Sequence, residues 1–338
     1  MADWRKAALA AALVVSCASK SQEPARPAPP ARSLESAHAR PTPSVRPGPI
    51  VLVVLDGVRW QEIFVGSERD GRTPADLAPN LQRLATERGA AIGAPGRGTI
   101  AATGPNFVSL PGYTEIFSGS APLRCADNHC PATETPTLLD DARAAGAKVG
   151  AFSSWETMRR AISASPDEIV ASCGRSGDPR IDPSPGTDDY RPDRLTADAA
   201  LAWFEAERPD VFFLGLGDTD EYAHHLDYEG YLAALGRADA IVGRLVALVD
   251  RMGERGERTS ILVTADHGRA RDFGSHGGHA PESARVWLIA SGGAIRARGQ
   301  VRSSAPRYLA DVAPTLRVAA GLAPPDREVT GTILDELL

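Results

Sequence analysis

Six consecutive apolar residues, Ile50 through Leu55, stop abruptly at Asp56-Gly57. A run without polar alternation suits a strand covered on both faces, so it predicts a buried strand with Asp56 at its carboxyl end. A similar apolar run at Val211 to Leu216 predicts a second buried strand, and Ser260 to Thr264, Lys148 to Ser153 and Val286 to Ala290 add three further strands. Between them the apolar period lengthens to that of a helix. Pro79-Asn80 opens a helix to about Arg88 that Gly89 stops, and Thr137 to Ala145 forms another stopped by Gly146. Thr196 caps a helix through Glu207, Tyr228 to Met252 is a long amphipathic helix, and Asp311 to Ala320 is a late one ended by Gly321. This alternation predicts an α/β fold: a mainly parallel, doubly wound sheet with helices on both faces.

Upstream of Pro49 the pattern changes. Arg5 and Lys6 precede nine apolar residues, Ala7 to Val15, followed by Ser16-Cys17. Nine residues are too few to span a bilayer, and the positive flank with a small residue before the cysteine resembles a bacterial lipoprotein signal peptide over residues 1–17. That resemblance implies acyl chains on Cys17 and a protein anchored in the bacterial cell envelope, on its periplasmic or extracytoplasmic side. Residues 18–48, rich in Pro and Ala, have no apolar periodicity to bury and read as a disordered tether. Residues 49–338 then form one globular domain. The chain's 338 residues, 43% hydrophobic, are enough for a sizeable core. A formal charge of -6 argues against a nucleic-acid binder, which would need a concentrated Lys/Arg surface. In an exported chain Cys125 and Cys130 can staple one loop, while the partner of Cys173 stays open.

Candidate chemistry collects where strands are expected to give way to loops, the place where open α/β sheets gather ligand-contacting side chains. Asp266 and His267 follow the Ser260 to Thr264 strand directly, offering a hard oxygen and an imidazole nitrogen together. Asp220 and His224 are four apart, which on a helical turn puts both on one face. Asp218 and His225 are rival candidates beside them.

At Leu55-Asp56-Gly57, Ser109-Leu110-Pro111-Gly112-Tyr113, Asp220 through His224, Thr264-Ala265-Asp266-His267-Gly268, Ser275-His276-Gly277 and Asp311-Val312-Ala313-Pro314-Thr315, the chain resembles the alkaline phosphatase superfamily. Within it, the nucleotide pyrophosphatase/phosphodiesterase branch is the most similar. The resemblance implies two divalent metal ions of the zinc type. Asp56, Asp266 and His267 would hold one together with the Ser109 oxygen, and Asp220, His224 and His276 the other, with His279 an alternative to His276. It makes Ser109 the metal-activated nucleophile and gives Asn128 a phosphoryl oxygen to donate to; a plain loop asparagine within the Cys125 to Cys130 staple is the other reading.

Two departures matter. Sulfatases carry a C/S-x-P-x-R pattern, and Tyr113 stands where its arginine would be. The diesterase branch usually has threonine and an asparagine where this chain has Ser109 and Gly112, so monoester and diester substrates both stay open. The expected function is a metal-dependent phosphoric ester hydrolase acting on phosphate esters or phosphoanhydrides of a phosphorylated small molecule or lipid. The alternatives are a phosphoryl-group transferase, a sulfatase-like esterase, and a non-catalytic phospholigand-binding lipoprotein that retains its metals.

Overall fold

The computed structural model describes residues 46–178, 180–181, 189–278 and 280–338. The stretch expected to be a signal peptide, Cys17, nearly all of the expected tether, and His279 lie outside the described residues. Gly48 already belongs to the domain, donating its N–H to the Ala319 carbonyl at 3.1 Å.

Among the described residues, strands form at Ile50–Leu55 (β1), Gly89–Ile92 (β2), Ile100–Ala101 (β3), Val149–Ser153 (β4), Val170–Cys173 (β5), Val211–Leu216 (β6), Ser260–Thr264 (β7), Arg285–Val286 (β8), Leu288–Ser291 (β9), Gly299–Gln300 (β10) and Arg307–Tyr308 (β11). Eight of them make the main sheet in the order β10-β2-β9-β7-β1-β6-β4-β5. All of its pairings are parallel except those of β9, which runs against β7 and β2. In β1, β6 and β7 every residue is buried, so side chains pointing to either face are covered. Continuous apolar runs therefore mark the middle of the sheet.

Several expected elements differ in detail. The strand expected over Val286 to Ala290 is two strands broken at Trp287. β8 pairs with β3 in a small three-stranded sheet, and β9 joins the main one. Trp287, fully buried with Nε1 donating to the Val58 carbonyl at 2.9 Å, makes the crossing. Thr196 does not cap its helix, which runs over Asp193–Glu207. Its hydroxyl instead accepts from Ser154 Oγ at 2.9 Å and Arg191 Nε at 3.1 Å. Gly89 ends the preceding helical turns and also begins β2. Thr137 caps the helix Leu138–Ala144 with a full capping box.

The helix Ser109–Ser118 is held from within. Buried Glu115 accepts from the Thr103 N–H at 2.8 Å and the Ala310 N–H at 3.1 Å, fixing the helix to the segments on either side.

Candidate metal centre

Three neighbouring strands, β7, β1 and β6, end side by side. Their register pairs Val54 with Gly215 on one side and with Thr264 on the other. Asp56, the helix Asp218–His224 and the Asp266-His267 pair therefore emerge together at the carboxyl ends of these central strands. Thr219 Oγ1 donates to the Asp56 carbonyl at 2.6 Å and locks that helix onto the end of β1. Two glycines of the quoted motifs are explained by close approach. Gly57 has a φ of +62°, and a Cβ there would lie 2.5 Å from Asp220 Oδ1. A Cβ at Gly112 would lie 2.3 Å from the Asp266 carbonyl oxygen, so only glycine lets the Ser109 helix sit against the end of β7.

The side chains expected from sequence meet in two groups. The ligating atoms of Asp56, Asp266 and His267 lie within 4.8 Å of one another, and those of Asp220, His224 and His276 do likewise. The His267 and His276 rings stack with centroids 4.1 Å apart, so the groups adjoin. Ser109 Oγ is 3.3 Å from both Asp56 Oδ1 and His267 Nε2 and belongs to the first group. Not every member follows a strand end as expected. Ser109 is the first residue of a ten-residue helix, His224 is the last of a seven-residue one, and His276 lies in the loop between β7 and β8. The helix position suits Ser109, because the N-terminal dipole favours negative charge near its oxygen.

Hydrogen bonds behind the imidazoles orient them. His267 Nδ1 is 2.8 Å from the Gly268 carbonyl and His276 Nδ1 is 3.3 Å from the Phe107 carbonyl. A ring nitrogen facing a carbonyl carries the proton, so each ring turns its Nε2 lone pair toward the groups. His224 Nε2 is 2.9 Å from Asp220 Oδ2 and 3.2 Å from His276 Nε2.

Electrostatically the arrangement asks for positive charge. Burial, then repulsion by Asp220, pushes the Asp56 carboxyl well above its ordinary value, and burial with Asp56 nearby does the same to Asp266. Asp220 is held low in spite of its burial by the hydrogen bond from His224 and the charge of Arg269. Burial and the neighbouring His267 push His276 down to about 3, which keeps it a neutral donor. Buried Asp266 Oδ2 has no hydrogen-bond partner among the described residues. An orphaned carboxylate oxygen, imidazole lone pairs aimed inward and a mixed N/O donor set together fit two divalent cations.

Rival candidates turn elsewhere. Asp218 Oδ1 accepts from Tyr190 Oη at 2.5 Å and from the Asp193 N–H at 3.0 Å, away from both groups. His225 is exposed, with Nδ1 2.7 Å from the carbonyl of Glu221. Asn128 sits inside the disulfide-closed loop Cys125–Cys130, and its Oδ1 accepts the Leu110 N–H at 2.9 Å, immediately beside Ser109. Cys173 is buried at the end of β5. Tyr113 is buried with its ring edge on Phe213, so the position of the sulfatase arginine is filled by a core side chain. One participant went unseen in the sequence: buried Arg269, whose Nη1 donates to Asp220 Oδ1. Its only signal in the sequence is its place two residues after His267, directly following Gly268.

This is an alkaline phosphatase-like fold with a paired carboxylate and histidine centre. A 2-O GAG sulfatase shares the fold with a TM-score of 0.61 at 13% identity, over 86% of this chain and 74% of that one. A phosphonate monoester hydrolase from Silicibacter pomeroyi shares it with a TM-score of 0.57 at 17% identity, over 85% and 76%. The sequence model of the Metalloenzyme superfamily matches residues 185–323, the stretch that carries Asp220, His224, Asp266, His267 and His276. The 2,3-bisphosphoglycerate-independent phosphoglycerate mutase of Haloarcula marismortui is 30% identical over 174 residues, 49% of this chain and 32% of that protein. Its counterpart from Pseudomonas putida is 30% identical over 161 residues, 44% of this chain and 29% of that protein. The chain thus spans about a third of the length of the curated relatives it matches.

Proposed function

We propose that this protein is a metal-dependent hydrolase of phosphate esters or phosphoanhydrides with Ser109 as its nucleophile. One observation carries the reading: the buried Ser109 hydroxyl stands 3.3 Å from both Asp56 and His267, at a helix N-terminus and beside a second ligand group. Two divalent cations of the zinc type, one held by Asp56, Asp266, His267 and Ser109 and the other by Asp220, His224 and His276, would favour the serine alkoxide and stabilise the oxygens of an in-line displacement. Ser109 Oγ attacks phosphorus, and the leaving oxygen departs with the electrons of the broken P–O bond. Water then attacks phosphorus and breaks its bond to Ser109 Oγ; a proton from that water restores the hydroxyl, and the product released is phosphate from a monoester or a phosphate monoester from a diester. Asn128, anchored through its carbonyl end on Leu110, donates from its amide nitrogen to a phosphoryl oxygen. Two dications and Arg269 against Asp56, Asp220 and Asp266 leave a net charge of about +2 before Ser109 ionises, which favours an anionic ester.

A screen of para-nitrophenyl phosphate mono- and diesters, with and without chelator, tests this. Chelator-sensitive nitrophenol release is expected, and the preferred ester separates phosphatase from phosphodiesterase; zinc-loaded protein inert toward every ester would end the proposal. The mutase matches favour a second reading, phosphoryl transfer to an alcohol. Product analysis with added alcohols distinguishes it from hydrolysis. The envelope location belongs to the same proposal, resting on Arg5, Lys6, the Ala7 to Val15 run and Cys17. Intact-mass measurement of natively expressed protein should find an acylated Cys17, and an unmodified one would remove the anchor.

A further inference from the structure

Arg269 is 2% exposed, yet its guanidinium is fully engaged with the second ligand group and the loop that serves it. Nη1 donates to Asp220 Oδ1, Nε donates to the Phe273 carbonyl at 2.7 Å, and Nη2 donates to the Gly274 carbonyl at 3.2 Å. Phe273 and Gly274 lead directly into Ser275-His276. One planar fork therefore joins the helix that supplies Asp220 and His224 to the loop that supplies His276. The division of Asp220 is informative as well. With Oδ1 taken by Arg269, Oδ2 faces His224 Nε2 at 2.9 Å, on the side where His276 Nε2 also stands. Space for the pair is kept by Gly57, where a Cβ would lie 2.6 Å from Arg269 Nη1.

We infer that Arg269 is a positioning residue for the second metal ion. It fixes which oxygen of Asp220 is offered and ties the His276 loop to it, while its charge offsets one of three crowded carboxylates. Arginine is needed because a rigid fork can serve a carboxylate and two carbonyls at once, whereas a lysine ammonium is a single point charge on a flexible stem. The inference rests on the proposed metal reading of the two groups. The first group does not depend on it in the same way: Asp266 is fixed by the Gly57 N–H at 3.2 Å, and His267 by the Gly268 carbonyl.

The test measures zinc stoichiometry and affinity by equilibrium dialysis and elemental analysis on wild type, Arg269→Met and Arg269→Lys, with circular dichroism to verify folding. Wild type should bind two ions. Arg269→Met should keep one at wild-type affinity and hold the other about ten- to a hundredfold more weakly, as loss of an outer partner typically does. Arg269→Lys should recover only part of that loss. A merely structural role would weaken both ions together or neither, and either result would overturn the inference. If Arg269→Met fails to fold, Arg269→Lys decides: two ions at unchanged affinity also overturn it. Wild type taking up fewer than two ions would instead refute the metal reading, and the inference with it.

Discussion

Ser109→Ala should reduce ester turnover on the order of 10⁴-fold or more while leaving two metal ions bound. The size of the loss follows from the proposed role of Ser109 as covalent nucleophile, for which no other group stands in. Asp56 and His267 are each within 3.3 Å of the serine oxygen, but both are assigned to a metal and neither is placed to attack phosphorus in its stead. Metal retention follows because Asp56, Asp266 and His267 persist when the hydroxyl is removed. Kinetics and elemental analysis on one preparation check both halves, and acid-quenched wild type should yield a phosphorylated Ser109 peptide. Substantial turnover by the alanine variant would assign the attack to another group. Loss of the metal with the activity would make Ser109 chiefly a ligand.

Stripping the ions should cost stability as well as activity. A ligand that binds only the folded state contributes about 4 kcal/mol at a free concentration a thousandfold above its Kd. Two such sites, at roughly 2 °C per kcal/mol for a large domain, predict a fall in Tm of more than about 10 °C in excess chelator. The gap should depend on pH with a definite sign. Burial raises the folded-state pKa of Asp56 and Asp266 above the ordinary carboxylate value. In the stripped protein, the stability they contribute is therefore full below about pH 4 and is lost as pH rises through the folded values. The loaded protein needs these groups ionised, so loaded and stripped melting curves should diverge as pH increases. Scanning calorimetry across that range would show it, and curves that coincide at every pH would mean that no ion is bound in the folded state.

The parts of this architecture that were legible in sequence are those specified locally. β1, β6 and β7 are buried on both faces, so their runs are uninterrupted, and each stops where polar site residues begin. Helices ended by Gly146 and Gly321 carry their stop signals with them. The short strands β2, β3, β5, β10 and β11 escape the sequence pattern because pairing, not their own pattern, makes them strands. Trp287 looked like the middle of one strand because sequence does not show that the residues on either side pair with different sheets. The local pattern alone does not separate Asp220 from Asp218, and only the resemblance favours Asp220, since the contacts that occupy Asp218 are with Tyr190 and Asp193. Arg269 was hidden for a related reason: arginines are usually surface residues, and only the fold reveals one satisfied by a carboxylate and two carbonyls at the floor of a centre.

The three central strands have one more consequence. Asp56, Asp220 and Asp266 come from stretches far apart in the chain and become neighbours only when β6 and β7 dock on either side of β1. No fragment made early in synthesis can carry the complete centre. Capture of both proposed ions would then report that all three strands stand side by side, so metal uptake would serve as a readout of their assembly.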